Sequence, residues 1–265
     1  MRTLLSILGA RTIALLDYVG GLGCLFAAGI WWMTVGPWKQ KGRLRRAEAF
    51  YQMERLGLKS FGIVSLVIFF VGIILAFQMA YVLKALGVTV YVANITGVAM
   101  MREMAPLLVA MVMAGFNGAA IAAEIGTMVV DEEVTALETS ALHPVRFLVV
   151  PRVLAAMVMM PFVTLIATYI GIFGGFAVGN LLLDIEAEKY LSRTLESLKH
   201  KDLIAGLVKA EAFGILVALI ACQEGMRVTG GAQGVGRATT NAVVRAIVAI
   251  IVCDMLFTAF FFYFL

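Results

Sequence analysis

Four ionisable residues stand in stretches that are otherwise apolar, and they are the first candidates for chemistry: Lys209, Glu211, Arg245 and Asp254. A lone charge at the centre of a membrane helix costs about 2.5–3.5 kcal/mol on insertion scales. Such residues are therefore expected to be paired or hydrated. Residues 209 and 211 cannot face each other on one helix, so we predict that Lys209 pairs with Asp254 across two helices. Two roles stay open for this pair, a structural ion pair and a part in gating.

Arg102 and Glu103 form a second charged site, just before Pro106. Proline has no backbone N–H and leaves a carbonyl of the preceding turn without its usual partner. The two charges suit either a contact for a lipid headgroup or a hinge. They suit equally an ordinary polar start of a helix near the outer interface. The functional and the structural interpretation both stay open.

Other kinds of site are not predicted. Residues 230–237, Gly-Gly-Ala-Gln-Gly-Val-Gly-Arg, lack the Gly-Lys-Ser/Thr ending of a nucleotide loop and follow no strand. No Walker motif, Gly-x-Ser-x-Gly elbow or His-Glu-x-x-His helix occurs, so catalysis by this chain is not expected. His143 and His200 have no neighbours at ligand spacing, so no metal site is predicted. The cysteines 24, 222 and 253 lie far apart in apolar stretches, and we expect them to be buried small hydrophobes.

The composition is typical of an all-α membrane protein that forms one domain over residues 1–265. Of these residues 62% are hydrophobic and 14% charged, against ~45–50% and ~25% in soluble domains. The mean hydropathy is +0.97. The net charge is +4. We expect the basic residues to lie in loops that face the cytoplasm and anionic lipid headgroups. No nucleic-acid partner is predicted.

Hydropathy divides the chain into N-terminal helices and about five spans of ~20 or more apolar residues. Residues 3–17 are predicted to be an amphipathic helix in the membrane interface, and residues 18–35 to dip into the bilayer without crossing it. A basic cytoplasmic segment follows at 36–59. The predicted spans are 60–83, 91–128, 147–183, 203–222 and 243–265. Between them we place an external turn at 84–90, a short cytoplasmic helix at 131–146, an external amphipathic helix at 184–202 and a glycine-rich cytoplasmic loop at 224–240.

Counted over residues 36–59, 127–152 and 223–241, this orientation places eleven Lys or Arg residues inside, against five outside over 84–91 and 184–202, as the positive-inside rule favours. In the cytoplasmic helix, Val134, Leu137 and Ala141 repeat at i, i+3 and i+7, which predicts one buried stripe. Small residues also recur at helical spacing within 118–126 and 171–179. They allow either ordinary close packing of helices or a dimer seam.

Three long motifs resemble one family. Residues 102–108 read Arg-Glu-Met-Ala-Pro-Leu-Leu, residues 118–128 read Gly-Ala-Ala-Ile-Ala-Ala-Glu-Ile-Gly-Thr-Met, and residues 230–240 read Gly-Gly-Ala-Gln-Gly-Val-Gly-Arg-Ala-Thr-Thr. From about residue 45 to the C-terminus the chain resembles the MlaE permeases. These serve ABC transporters that work with MCE-domain proteins in maintaining outer-membrane lipid asymmetry.

The resemblance implies a multi-pass protein of the bacterial inner membrane that moves phospholipid or a similar lipid. It implies a homodimer, two cytoplasmic ATPase subunits that carry ATP and Mg²⁺, a periplasmic MCE ring and room for a small accessory cytoplasmic subunit. The implied coupling residues are Glu132, Glu133, Val134, Leu137, Glu138 and Pro144. The implied lipid path contains Gln78, Tyr81, Arg102, Glu103 and Leu107, and the other motif positions of interest are Glu124 and Arg237.

The chain departs from the family pattern at two positions. Phe116 replaces an Arg that follows Ala114-Gly115 in the family, and Thr135 replaces an Asp of the coupling segment. The resemblance does not extend to the ATPase contacts at these positions.

Two rival functions follow from the residues alone. A secondary transporter or channel could use the buried Lys and Asp as an ion relay, but it predicts an inverted repeat, which the two halves do not show. An intramembrane enzyme would need a nucleophile or metal cluster at membrane depth, and the sequence offers neither.

Overall fold

The computed structural model describes residues 2–34 and 46–264, and side chains over 9–34 and 47–264. The described chain is helical and contains no strand, which confirms the predicted all-α membrane fold. The basic residues expected in the cytoplasmic segment at 36–45 lie outside the described part of the chain.

The fold consists of eight helices in the described ranges. Two of them, α3 and α5, contain short π-helical segments and are each counted as one helix. In chain order the helices are α1 (Arg2–Thr34), α2 (Arg46–Ala85), α3 (Tyr91–Val130), α4 (Glu133–Thr139), α5 (Val145–Leu181), α6 (Ala187–Ser197), α7 (His200–Met226) and α8 (Gly231–Phe264).

Five long helices, α2, α3, α5, α7 and α8, run between two ends of one bundle. We call the end that carries residues 131–149 the basal end, and the end that carries residues 86–90 and α6 the distal end. The core lies where α3, α5 and α7 meet, around Met113, Ile125, Met160, Phe213 and Ile220. Of the long helices α7 is the most buried, while α8 is among the least.

The sequence predicts two N-terminal elements, at 3–17 and 18–35. In the structure residues 2–34 form one continuous helix, α1. By length and composition Gly9–Thr34 could cross a membrane. Yet Gln223 Nε2 at the basal end of α7 donates a hydrogen bond of 3.1 Å to the Tyr18 carbonyl. The Trp32 ring lies 5.4 Å from His143, also at the basal end. Because both contacts are at the same end, residues 18–32 lie across the basal end and do not connect the two ends of the bundle.

The predicted glycine-rich loop at 224–240 is wrong over most of its length. Helix α7 continues to Met226 and α8 already begins at Gly231, so that only residues 227–230 connect them. Gly230 and Gly231 have φ values of +88° and +66°, a region that glycine enters without strain. A Cβ at Gly234 would lie 2.1 Å from the Thr229 carbonyl oxygen, so glycine there lets the first turn of α8 pass close to the connection.

The cysteines also depart partly from prediction. Cys222 is buried, Cys253 is half-buried and Cys24 is exposed, and all three are free thiols. The expectation of burial is therefore wrong for Cys24, which lies on the outward side of α1, where the bundle does not cover it.

The small-residue motifs serve packing within the chain. A Cβ at Gly171 or Gly175 would overlap Met100 or Thr96 of α3, and one at Gly126 would overlap Val228. Closest of all, a Cβ at Gly72 of α2 would lie 1.9 Å from the Gly171 carbonyl oxygen of α5. The glycines thus allow the backbones of α2 and α5 to touch, as small residues do between membrane helices.

We therefore predict that Gly72→Ala lowers the thermal stability of the purified protein in detergent, by about the 1–3 kcal/mol typical of overpacking. The matched control is Gly62→Ala in the same helix, since a Cβ at Gly62 meets nothing within 4 Å. Equal melting temperatures for the two variants would show that α2 and α5 are not in contact at Gly72.

Candidate functional site

A cluster of charges inside the bundle joins α3, α7 and α8. Lys209 Nζ lies 2.5 Å from a Glu103 carboxylate oxygen and 2.9 Å from an Asp254 carboxylate oxygen. It also donates a hydrogen bond of 2.8 Å to Thr258, whose hydroxyl donates one of 3.1 Å to Glu103. We call these four residues the Lys209 cluster. With both carboxylates ionised it carries a net charge of −1.

Local sequence explains how Glu103 reaches this cluster. Residues Met100–Met104 form a π-helical segment, immediately before Pro106, which cannot donate a hydrogen bond to the Arg102 carbonyl. A π turn widens the helix and is frequent at functional sites. Similarly, Val145–Val149 forms a π turn before Pro151.

The structure places Lys209 against Asp254, the partner expected from the sequence, and adds Glu103, whose role as a partner sequence reasoning missed. A signal was present, because Glu103 and Lys209 lie at similar distances from the distal ends of their helices. Lys209 is about 14 Å along α7 from His200 at ~1.5 Å per residue. Helical periodicity alone does not show which faces of α3 and α7 meet.

The Lys209 cluster is enclosed by protein around Lys209 and partly accessible at its two carboxylates. The Lys209 side chain is 1% exposed, whereas those of Glu103 and Asp254 are 27% and 16% exposed. A buried ammonium is tolerable because carboxylates and a hydroxyl satisfy its donors. The accessible carboxylates border the space beside α3 and α8. This arrangement can bind a proton, a cation or the amine of a headgroup.

The other residues assigned to the lipid path lie around the distal half. Arg102 lies 3.6 Å from Asp202 at the start of α7, beside a cavity of about 370 Å³. Leu107 is half-buried. Gln78 and Tyr81 are exposed on α2, which packs mainly on α5, and no described hydrogen bond or ion pair links them to the Lys209 cluster.

The basal end presents α4 as a short acidic projection. Asp131, Glu132, Glu133 and Glu138 are exposed, and none has an ion-pair partner among the described residues. Val134 is half-buried, and so is Leu137, which lies in a hollow formed with Met128, Phe147 and Leu148. The apolar stripe therefore anchors α4 to its own bundle, but Ala141 is exposed and does not belong to it.

The turns that flank α4 are tight. Glu132 and Ala141 have φ values of +60° and +57°, a conformation that is uncommon for residues other than glycine. Pro144 follows and precedes the first turn of α5. These turns hold α4 as a compact hairpin between α3 and α5.

An ion triad, missed by the sequence analysis, closes the base of this hairpin. Glu124 of α3 accepts from Arg152 of α5 at 2.9 Å and from Arg55 of α2 at 2.6 Å. Arg152 is 2% exposed and also donates to the Leu148 carbonyl at 2.7 Å. Glu124 thus links the helix that enters the hairpin to the helix that leaves it.

The remaining charged candidates are placed as follows. Arg245 pairs with Glu224 at 2.5 Å and stacks on Tyr18, 4.4 Å from the ring centroid. Glu211 is half-buried and Arg237 exposed, and neither has a polar partner in the described ranges. The departures from the family pattern, Phe116 and Thr135, are both exposed.

Within residues 2–34 and 46–264 no group of His, Cys, Asp or Glu side chains could hold a metal ion. The site that the structure assembles is therefore one of paired charges in an apolar bundle.

Comparison with known proteins gives the family. The model of the family described as Permease MlaE matches residues 49–260, as the three motifs predict. A probable ABC transporter permease protein of Rickettsia bellii is 37% identical over 96% of this chain and 96% of its own length. The intermembrane phospholipid transport system permease protein MlaE of Haemophilus influenzae is 31% identical over 80% of this chain and 81% of that protein.

A plant protein is related at a similar level. Protein trigalactosyldiacylglycerol 1, chloroplastic, of Arabidopsis thaliana is 32% identical over 84% of this chain and 63% of its own length. Since the family model covers most of the sequence and these relatives exceed 30% identity over 80% or more of it, the chain belongs to the MlaE family of ABC transporter permeases.

Proposed function

We propose that the chain is the permease subunit of an ATP-driven transporter that moves phospholipid between the bacterial inner membrane and a periplasmic MCE-domain carrier. The observation that carries the proposal is the Lys209 cluster, a polar site with two accessible carboxylates inside an apolar bundle. A lipid site needs apolar walls with a few polar groups at headgroup depth. The printed name of the Haemophilus influenzae relative supports phospholipid as the cargo.

The cluster suits a zwitterionic headgroup. Its excess carboxylate attracts an amine, and Arg102, on the same π turn as Glu103, attracts a phosphate. The acyl chains would lie along the apolar surface of α8, whose outward face carries Val248, Met255 and Phe260.

A second copy of the chain would complete the cavity. Helix α8 is long and little buried within one chain, and the open side of the Lys209 cluster lies beside it. A homodimer that pairs these surfaces would enclose the lipid between two clusters. The MCE ring would stand over the distal end, where α6 and residues 86–90 lie.

ATP and Mg²⁺ belong to a separate ATPase subunit in this proposal, since the chain carries no Walker motif. Helix α4 would receive that subunit, because Leu137 is half-buried against the bundle while Glu133 and Glu138 are exposed. Motion of α4 would pass through Glu124 to Arg55 and Arg152, hence to α2 and α5, and narrow the cavity.

The direct test is co-purification in mild detergent followed by reconstitution in phospholipid vesicles. We expect an ATPase subunit to accompany the chain, and ATP hydrolysis to move a fluorescent phospholipid to an acceptor. A chain that brings no ATPase and moves an ion down its gradient would instead support the secondary-transporter alternative.

The role of the Lys209 cluster is tested by Lys209→Met, with Lys189→Met, an exposed position on α6, as the control. Removing one partner of a buried pair costs about 3–5 kcal/mol, so we expect both stability and transport to fall. The triple variant Glu103→Gln, Lys209→Met, Asp254→Asn removes every charge, and it should recover stability but not transport. If it recovers transport as well, the cluster has only a structural role.

The role of α4 is tested by Glu133→Lys with Glu138→Lys. Reversal of these charges should abolish association with the ATPase while the permease stays folded, because both side chains are exposed and neither has an ion-pair partner among the described residues. Glu188→Lys on α6 makes the same kind of change at the distal end and should have no effect. Normal ATPase binding by the α4 variant would contradict a coupling role for this acidic face.

A further inference from the structure

A crevice separates the C-terminal part of α1, residues 26–34, from the bundle. It has a volume of about 220 Å³ and is open to the outside. One wall comes from α1 and the other from α5 and α7. Six apolar residues carry the argument: Phe26, Ile30, Met33, Met157, Ile215 and Leu219.

Polar and cation–π contacts hold α1 in place at Tyr18, ahead of the crevice in the chain, and at Trp32, within the range that lines it. At the first position, Gln223 binds the Tyr18 carbonyl and Arg227 lies 3.7 Å from Asp17. At Trp32, the guanidinium of Arg146 lies 5.4 Å from the centroid of the ring. Because these contacts fix α1, its C-terminal part cannot close onto α5 and α7 without breaking one of them.

A buried glycine shows that the crevice is a real void. Gly29 is buried, yet a Cβ built on it would meet no atom within 4 Å. The one hydroxyl in the lining, that of Thr34, donates its proton to the Ile30 carbonyl at 2.8 Å, so this proton is not available to a ligand.

The chemistry of the walls selects the occupant. Apolar cavities do not hold water well and bind apolar molecules. The walls formed by α5 and α7 belong to helices that are apolar enough to span a membrane. The molecules next to the crevice in a membrane are therefore lipids, and their acyl chains can enter it. Its volume is below the ~300–1,000 Å³ of pockets that enclose a whole drug-sized ligand, which suits part of one acyl chain.

A cation lies where the headgroup of such a lipid would be. Arg146 stacks on Trp32 and Phe147 and has no carboxylate partner among the described residues. It lines the neighbouring basal cavity, of about 380 Å³, together with His143 and Glu138. A phosphate there would complete the contacts of the guanidinium.

We propose that the crevice binds one acyl chain of a glycerophospholipid from the leaflet at the basal end, with the lipid phosphate at Arg146. This lipid is distinct from any cargo at the Lys209 cluster, since Ile215, the lining residue of α7 nearest to Lys209 in the chain, lies about 9 Å from it along the helix at ~1.5 Å per residue. It fills the space beneath α1 and holds the helix against the bundle.

The test fills the crevice. Gly29→Leu places a side chain in the void without meeting the backbone, and Gly23→Leu makes the same change at an exposed site of α1 where a Cβ also meets nothing within 4 Å. In native mass spectrometry of the protein purified in mild detergent, Gly29→Leu should retain one phospholipid fewer per chain than wild type and Gly23→Leu. Equal retention by the two variants overturns the proposal.

A second measurement keeps the test decisive if Gly29→Leu does not fold. Wild-type protein is reconstituted in vesicles of phosphatidylethanolamine and phosphatidylglycerol with a phospholipid that carries a photoreactive group near its chain terminus. Cross-links are expected on the peptides that contain Met157 and Ile215, and Arg146→Gln should reduce them while Arg237→Gln, at an exposed site, should not. Absence of cross-links at Met157 and Ile215 in wild type rejects the site. Retention of these cross-links at the wild-type level in Arg146→Gln rejects the phosphate contact.

Discussion

The organisation of this permease depends on one constraint, that a charge within an apolar bundle must have a partner. The ammonium of Lys209 is enclosed between Glu103 and Asp254, which lie on helices far apart in the chain. Isolated in hydrocarbon, each charge would oppose insertion by several kcal/mol. Together they fix the relative rotation and depth of α3, α7 and α8, and they leave two partly accessible carboxylates beside α3 and α8.

The same constraint operates at the basal end with a different result. Glu124 binds two arginines at once, and Arg152 is almost fully enclosed, so the hairpin that carries α4 is tied to α2 and α5 at its base. Helix α4 itself has no buried residue. The molecule thus combines a rigidly held base with an exposed acidic projection, the arrangement expected of a part that transmits an external force to membrane helices.

Between the charged sites, the packing depends on small residues. Where α2 touches α5, both contacting residues are glycines, Gly72 and Gly171. Lipid tails are as apolar as large side chains, so apolar side chains alone do not drive helices together in a membrane. The attraction between α2 and α5 therefore comes from close contact of their backbones. Helices α1 and α8 lack such intimate contact and remain largely uncovered. They are the surfaces on which the proposed lipid and the proposed second copy would lie.

The sequence by itself determined the membrane class, the five long spans, the α4 hairpin and the family, because long apolar runs and contiguous motifs are local properties of the chain. It also indicated that Lys209 needs a partner and that Asp254 is suitable. Only the tertiary structure decided that Glu103 joins them, that Glu124 bridges two arginines and that α1 is one helix across the basal end. The physical reason is that these outcomes depend on how distant helices are rotated and set in depth against each other. Hydropathy and helical period do not encode that relation.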